Sequence, residues 1–365
     1  MAKKNWKIIP VDDFVIFKAS DDIVESANAN YARANELNRR YVADRPVPEP
    51  PVPVTGTFIC AQPPNYRGLP MLHASVEDWQ KKFELLKTFG VDTVIFQAAV
   101  WFELGTVYYP SRRFADFRKF DQIGNVLTAA ERTGLDVYLG GYGSVSGWCM
   151  GKDPAYVEQE TQNHFAVQDE LFELYGGRFK GIYFAPETAY RGERDTYTEK
   201  ALNSIYRDFC GRLKKLHPEC TIVMSPATKY FEGKLDEMVE SWNTILDGVQ
   251  LDVMAPQDSI GCCGNTLEHQ EIMFQVWRRI CDGKDIRFWS NVELFEDVDC
   301  SKVDSLIPAD PRRIAHQICN AAKVAEKLIS WEMLYLTDDS CGGRGAALRS
   351  FLQRCNTLCR SRQNA

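Results

Sequence analysis

The sequence predicts an α/β fold, a (β/α)8 TIM barrel with an N-terminal extension. Three observations carry the prediction: eight apolar or β-branched runs of strand length, an amphipathic stretch after each, and no Gly-rich phosphate loop after the first run. Strands that are apolar throughout need cover on both faces, which parallel sheets obtain from their crossover helices. Eight such units over roughly 300 residues fit a closed barrel. An open doubly wound sheet would carry GxGxxG or a Walker sequence after its first strand, where Ala61-Gln-Pro-Pro-Asn-Tyr66 stands instead.

In chain order, residues 1–54 come first and differ from the rest. A strand-like piece, Asp13–Lys18, leads into a polar, Asn- and Ala-rich helical stretch to about Asp44, and five prolines between Arg45 and Val54 predict an extended linker. Residues 1–54 are therefore read as an extension and 55–360 as the barrel. The predicted strands lie at 56–61, 93–100, 136–142, 181–185, 221–225, 251–256, 286–290 and 327–331. Apolar residues at helical spacing mark 76–89, 119–133, 154–175, 196–216, 234–246, 266–282, 311–325 and 344–358. Ser75 and Asp153-Pro154 are N-cap signals for two of these.

Composition narrows the function classes. The 365 residues are 45% hydrophobic and 12% aromatic, and 50 acidic against 43 basic residues give a net charge of −7 without long single-sign blocks. Nucleic acid and membrane partners are therefore not expected, whereas a neutral polar ligand is. No run of about 20 apolar residues is present. The basic start, Met1–Lys7, leads into Val11-Asp12-Asp13 rather than an apolar signal core, so a cytoplasmic location is expected for the chain as given. Twelve cysteines scattered over a large domain favour reduced, buried thiols over a disulfide framework. The cysteines and the five histidines lack metal-site spacing, and neither a metal nor another cofactor is expected. Oligomeric state is left open.

Barrel enzymes draw their chemistry from the C-terminal ends of the strands. Two glutamates occupy such ends: Glu187 after Gly181-Ile-Tyr-Phe-Ala-Pro, and Glu293 within Ile286-Arg-Phe-Trp-Ser-Asn-Val-Glu-Leu294. On strands four and seven they would face each other across the mouth, and two facing carboxyl groups are what glycosidic cleavage requires. Glu187 is assigned as acid/base and Glu293 as nucleophile. Around them Gln62, Gln97, Trp101, Tyr142, Trp148, Tyr190, Gln257, Asp258, Asn291 and Trp331 are candidate substrate-binding residues. Amides and hydroxyls suit vicinal sugar hydroxyls, and flat rings suit the C–H faces of pyranoses. Trp289 is a further candidate platform, and Glu296 and Glu332 are rival carboxylates. The adjacent Cys262-Cys263 pair, in Gly261-Cys-Cys-Gly264, reads as a tight turn or a redox pair.

The glutamate placement is similar to that of the retaining glycoside hydrolase clan built on this barrel, although Ala185-Pro186-Glu187 stands where that clan usually has Asn-Glu. More closely, Thr55-Gly-Thr-Phe-Ile59 with Trp79, Asp92-Thr-Val-Ile-Phe-Gln97, Tyr183-Phe-Ala-Pro-Glu187, Ala255-Pro-Gln-Asp-Ser-Ile-Gly261 and Asn291-Val-Glu-Leu-Phe-Glu296 resemble a family of glycoside-hydrolase-like barrels catalogued as a domain of unknown function. The resemblance spans about residues 55–340. It implies a carbohydrate-facing mouth and glycoside hydrolase activity, with Gln97, Glu187, Gln257, Asp258 and Glu293 at matching positions. The expected function is cleavage of an O-glycosidic bond in an oligosaccharide or glycoside; the alternative is a non-catalytic carbohydrate-binding or scaffold barrel.

Overall fold

The computed structural model describes residues 7–11, 14–18, 21–61, 71–144, 151–187, 197–300 and 306–363. Within them eight parallel strands close a barrel: β1 (Gly56–Ile59), β2 (Thr93–Phe96), β3 (Asp136–Gly140), β4 (Gly181–Phe184), β5 (Thr221–Met224), β6 (Val253–Met254), β7 (Arg287–Glu293) and β8 (Lys327–Trp331). Each pairs with the next in chain order, and β8 closes onto β1 through Ile329↔Gly56 and Ser330↔Thr57. The sequence-predicted barrel is therefore the observed fold.

Its outer ring is α1 (Val76–Thr88), α2 (Ile123–Thr133), α3 (Pro154–Tyr175), α4 (Glu199–Leu216), α5 (Leu235–Ile245), α6 (Leu267–Asp282), α7 (Pro311–Ala321) and α8 (Gly342–Gln363). Local sequence starts these helices where it should. The Ser75 hydroxyl accepts from the Asp78 amide at 3.1 Å while the Asp78 carboxylate accepts from the Ser75 amide, a reciprocal cap. Asp153-Pro154 and Asp310-Pro311 pair an Asp cap with a proline at the first helical position, where no amide hydrogen is needed. Helix α2 begins at Ile123 rather than near Lys119, because Arg118–Lys119 pairs as a strand with Thr106–Val107. The side chain of Gln122 then accepts from Trp79 Nε1 at 2.8 Å.

The barrel interior is filled by one side chain from each strand: Phe58, Ile95, Tyr138, Tyr183, Val223, Val253, Trp289 and Ile329. Burial of each large apolar member stabilises the fold by about 1.5–3 kcal/mol. Toward the C-terminal end Ala185 and Ala255 follow Tyr183 and Val253 in the same inner cluster. Trp289 is not a sugar platform. It pairs in register with Lys327 at the start of β8 and sits 6% exposed against Tyr138, on the floor of the barrel.

Three additions were not anticipated. A small sheet of Arg118–Lys119, Thr106–Val107, Val100–Trp101 and Tyr142–Gly143 extends the ends of β2 and β3. A hairpin, Phe295–Asp297 with Leu306–Pro308, follows β7, and a short helix, Met333–Leu336, follows β8.

At the N-terminus, Lys7–Val11 and Phe14–Lys18 form an antiparallel hairpin, followed by a helix, Asp21–Ala43. That helix lies against the barrel: Val42 packs with Ile260 and Leu267, and Tyr41 meets His316 of α7 edge-on at 5.3 Å. The proline-rich segment is extended and docked. The Pro50 carbonyl accepts from Arg362 at 3.1 Å, Glu49 pairs with Arg362, and Val54 is buried in the main core.

Candidate active site

Alternation along β7 sets the geometry. Trp289 points inward, and so do the residues two and four further on. Asn291 donates to Ser225 Oγ of the β5 end at 3.1 Å, and Glu293 lies beside Trp331 in the β7–β8 register. On the far side of the barrel Glu187 lies three residues beyond the end of β4 at Phe184. It is half-buried, and its charge bears on the buried Tyr183 hydroxyl.

Glu293 is 2% exposed. Its Oε2 accepts from the backbone amides of Gly261 at 2.6 Å and Cys262 at 3.0 Å, and Cys262 Sγ stands 3.5 Å from Oε1. Only glycine serves at 261, since a Cβ there would lie 2.4 Å from the Phe295 carbonyl oxygen and 2.9 Å from Glu293 Oε2. Burial holds the Glu293 carboxyl well above the ordinary carboxylate range. The Asp258 charge adds to this, then Cys263, while the two amides pull the other way.

Asp258 acts behind Glu293 rather than in the mouth, a correction to its candidate role as a sugar ligand. Its Oδ1 accepts from the amides of Ile260 and Glu293, both at 3.3 Å; its Oδ2 accepts from Gln270 at 3.1 Å and Gln317 at 2.8 Å. At 2% exposure both oxygens are committed to the protein. Burial pushes its carboxyl up to about 6, offset in part by Gln317 and Arg313. The buried Arg313 donates to the carbonyl oxygens of Glu293 at 2.9 Å and Phe295 at 2.6 Å, and to Gln317 at 3.0 Å. Arg313, Gln317 and Gln270 were not singled out in the sequence, although polar side chains on the buried faces of α6 and α7 are a signal that could have found them.

The remaining candidates divide. Gln97 and Trp331 meet at the mouth, with Trp331 Nε1 donating to Gln97 Oε1 at 3.0 Å and Cys60 Sγ contacting the same oxygen. Trp331 is half-buried and packs edge-on against Phe295 at 5.4 Å. Trp101 is half-buried against the inner cluster. Gln257 donates to the Ser225 carbonyl at 3.1 Å and bridges to Asn291, whose Oδ1 is buried without a partner. Tyr142 is a correction: it is 2% exposed and packs on Phe114 and on His164 of α3, outside the barrel. The physical cause is the break in alternation at Gly140-Gly141, where Gly140 lies so close to β2 that a Cβ would stand 2.0 Å from the Gln97 carbonyl oxygen. Gln62, Trp148 and Tyr190 lie outside the described residues.

Of the rival carboxylates, Glu296 pairs with Arg344 at 3.1 Å, and Glu332 caps the short helix after β8 by accepting from the Tyr335 amide at 3.3 Å. One buried carboxyl outside the strand ends was missed. Glu160 of α3 is 1% exposed, accepts from the Tyr197 hydroxyl at 2.6 Å, and is raised to about 7 by burial, with the Glu103 charge adding to it. Glu103 accepts from Ser144 at 2.6 Å. The available signal was Glu160, His164 and Gln168 recurring at helical spacing on the buried face of α3. Among the described residues no group of three or more His, Cys, Asp or Glu side chains is arranged to hold a metal ion.

A closed eight-stranded parallel barrel ringed by helices defines a (β/α)8 barrel domain. Residues 54–340 match the family described as "Domain of unknown function (DUF4434)", and the chain belongs to that family. No curated protein sequence matches it significantly. Among solved structures it is similar to a Bacteroides thetaiotaomicron VPI-5482 protein described as a "putative alpha-L-fucosidase", at 19% identity and TM-score 0.67, over 86% of this chain and 98% of that one. It is also similar to the exo-beta-1,4-mannosidase Op5Man5 of Opitutaceae bacterium strain TAV5, at 12% identity and TM-score 0.51, over 84% and 60% of the two chains. A beta-glucosidase from Thermotoga maritima matches at 11% identity and TM-score 0.51, over 83% and 98%. At these identities the likeness is one of fold.

Proposed function

We propose that the protein hydrolyses an O-glycosidic bond in an oligosaccharide or glycoside by a retaining mechanism, with Glu187 as acid/base and Glu293 as nucleophile. The observation that carries this reading is the support built around Glu293: two amides on one oxygen and a buried Asp258–Gln317–Arg313 network behind its backbone. Such support orients a carboxylate and leaves its charge unspent on a salt bridge, which is what a nucleophile needs. In retention the first carboxyl protonates the leaving oxygen while the second attacks the anomeric carbon, and water then releases the glycosyl-enzyme with the first acting as base. Gln97, Gln257, Asn291, Trp101 and Trp331 are proposed to bind the sugar.

A second reading, a carbohydrate-binding barrel without turnover, is favoured by the 2% exposure of Glu293. Incubation with a panel of aryl glycosides and short oligosaccharides, followed by product analysis and calorimetry, separates the two. Turnover that Glu293→Gln abolishes supports the hydrolase; heat of binding with no product after prolonged incubation supports the binding protein.

A further inference from the structure

The Cys262-Cys263 pair has no part in the proposed reaction. Adjacent residues of an extended chain point to opposite sides. Here Cys263 takes φ 70° and Gly264 φ 82°, and the turn brings the two sulfurs to 3.8 Å on one side. Asn30 of the N-terminal helix donates to the Cys263 carbonyl at 3.0 Å, which holds the turn in this form. Neither sulfur is in a disulfide and both cysteines are half-buried, and Cys262 also packs against the main core, so a reagent meets Cys263 first. The link to the site is direct: Cys262 supplies one of the two amides on Glu293 Oε2, and its sulfur lies 3.5 Å from Oε1.

We propose that Cys262 and Cys263 form a modification site at which a small-molecule disulfide converts the two thiols to a vicinal disulfide. Cys263 loses its proton to water and its thiolate attacks the reagent RSSR, a Cys263–SR bond forms, and the first RS⁻ leaves and takes a proton from water. Cys262 then loses its proton to water and attacks the Cys263 sulfur; the mixed disulfide breaks and the second RS⁻ leaves, to be protonated in turn. In sum, two thiols and RSSR give one internal disulfide and two RSH. Closing 3.8 Å to about 2.05 Å requires the turn that carries the Cys262 amide on Oε2, and the Cys262 sulfur near Oε1, to readjust. The consequence for catalysis, though not the modification itself, rests on the glycosidase reading.

The test treats the full chain with oxidised glutathione, digests it without reduction, and maps the products by mass spectrometry. The expected result is a 262–263 peptide that has lost two hydrogens and carries no glutathione in the wild type. In Cys262→Ser, which lacks the resolving thiol, a stable glutathione adduct on Cys263 is expected. A persistent adduct on wild-type Cys263, a Cys263–Cys300 bond, or an unchanged 262–263 peptide overturns the proposal. Where a turned-over glycoside is in hand, oxidation should lower kcat/KM about tenfold or more, reversed by dithiothreitol. Because the mapping needs no substrate, a protein without glycosidase activity leaves the modification result readable.

Discussion

At the scale of residues, Glu293 is a buried carboxyl that the proposed reaction requires in its charged form. Glu293→Gln keeps the shape and the amide contacts but removes the nucleophile, so kcat should fall by roughly 10³-fold or more while the unfolding midpoint stays within a few degrees; stopped assays and thermal denaturation read both. Glu187→Gln should lower the rate by roughly 10²–10⁴-fold for poor leaving groups and much less for activated aryl glycosides, which need no proton. The pH profile has a definite sign. In the proposed reaction Glu293 attacks as the ionised form, and burial followed by the Asp258 charge holds its pKa well above the ordinary range. The acidic limb of kcat/KM should therefore lie above pH 4.5. Asp258→Asn removes the like charge, lowers the Glu293 pKa, and should move that limb to lower pH; an unmoved limb contradicts the coupling. Part of this site was legible in the chain, since β7 carries its glutamate at the inward position that alternation demands. The Gly261 and Cys262 amides were not legible, because backbone donors have no residue signature and the fold of a loop decides where they aim.

At the scale of elements, the N-terminal helix and the loops of the mouth form one assembly. Four asparagines on this helix reach the Cys263 turn, the hairpin after β7 and the start of α6. Asn30 donates to the Cys263 carbonyl at 3.0 Å, Asn35 to the Asp297 carbonyl at 3.3 Å and Asn28 to Asp299 at 3.0 Å, while Asn38 accepts from the Leu267 amide at 2.9 Å. The Asn- and Ala-rich composition of residues 21–43 was visible in the sequence, but its purpose was not: a polar helix face reads as solvated unless its partners, more than 200 residues away, are known. Losing two of these bonds costs about 2 kcal/mol of local stability. The double variant Asn30→Ala/Asn38→Ala should therefore raise amide exchange in residues 258–267 by roughly 30-fold while the α1 and α2 peptides keep their protection. Unchanged exchange at 258–267 would contradict the clamp. The helices of the ring were legible to within a few residues because caps and periodicity are local. The small sheet at 100–143 and the hairpin after β7 were not, since strands of two or three residues carry too little alternation to read.

At the scale of the whole molecule, the barrel tolerates buried ionisable groups whose cost depends on pH. Glu160 has a folded-state pKa of about 7, raised from 4.5 chiefly by burial. A carboxyl raised on folding contributes full stability below its unfolded pKa and loses it as pH rises from about 4.5 through about 7. Glu160→Gln removes that dependence and retains an acceptor for Tyr197. Denaturant unfolding should find the variant more stable than wild type at pH 8, by at most about 3 kcal/mol, with the gain vanishing toward pH 4.5; equal pH dependence in the two proteins contradicts the assignment. The eight-fold repeat was the most legible property of the chain, because each apolar run and its following helix had to bury one another whatever the loops did. The proposed sugar is the least legible, because no single strand end or motif specifies one.

The central claim is that Glu293 attacks the sugar, and its most direct measurement is trapping of the glycosyl-enzyme. Activated 2-deoxy-2-fluoro glycosides, matched to whichever aryl glycoside is turned over, should inactivate the protein by a single covalent sugar, and peptide mapping should place the ester on Glu293. An ester on another carboxylate, or turnover with inverted stereochemistry and no adduct, contradicts the account.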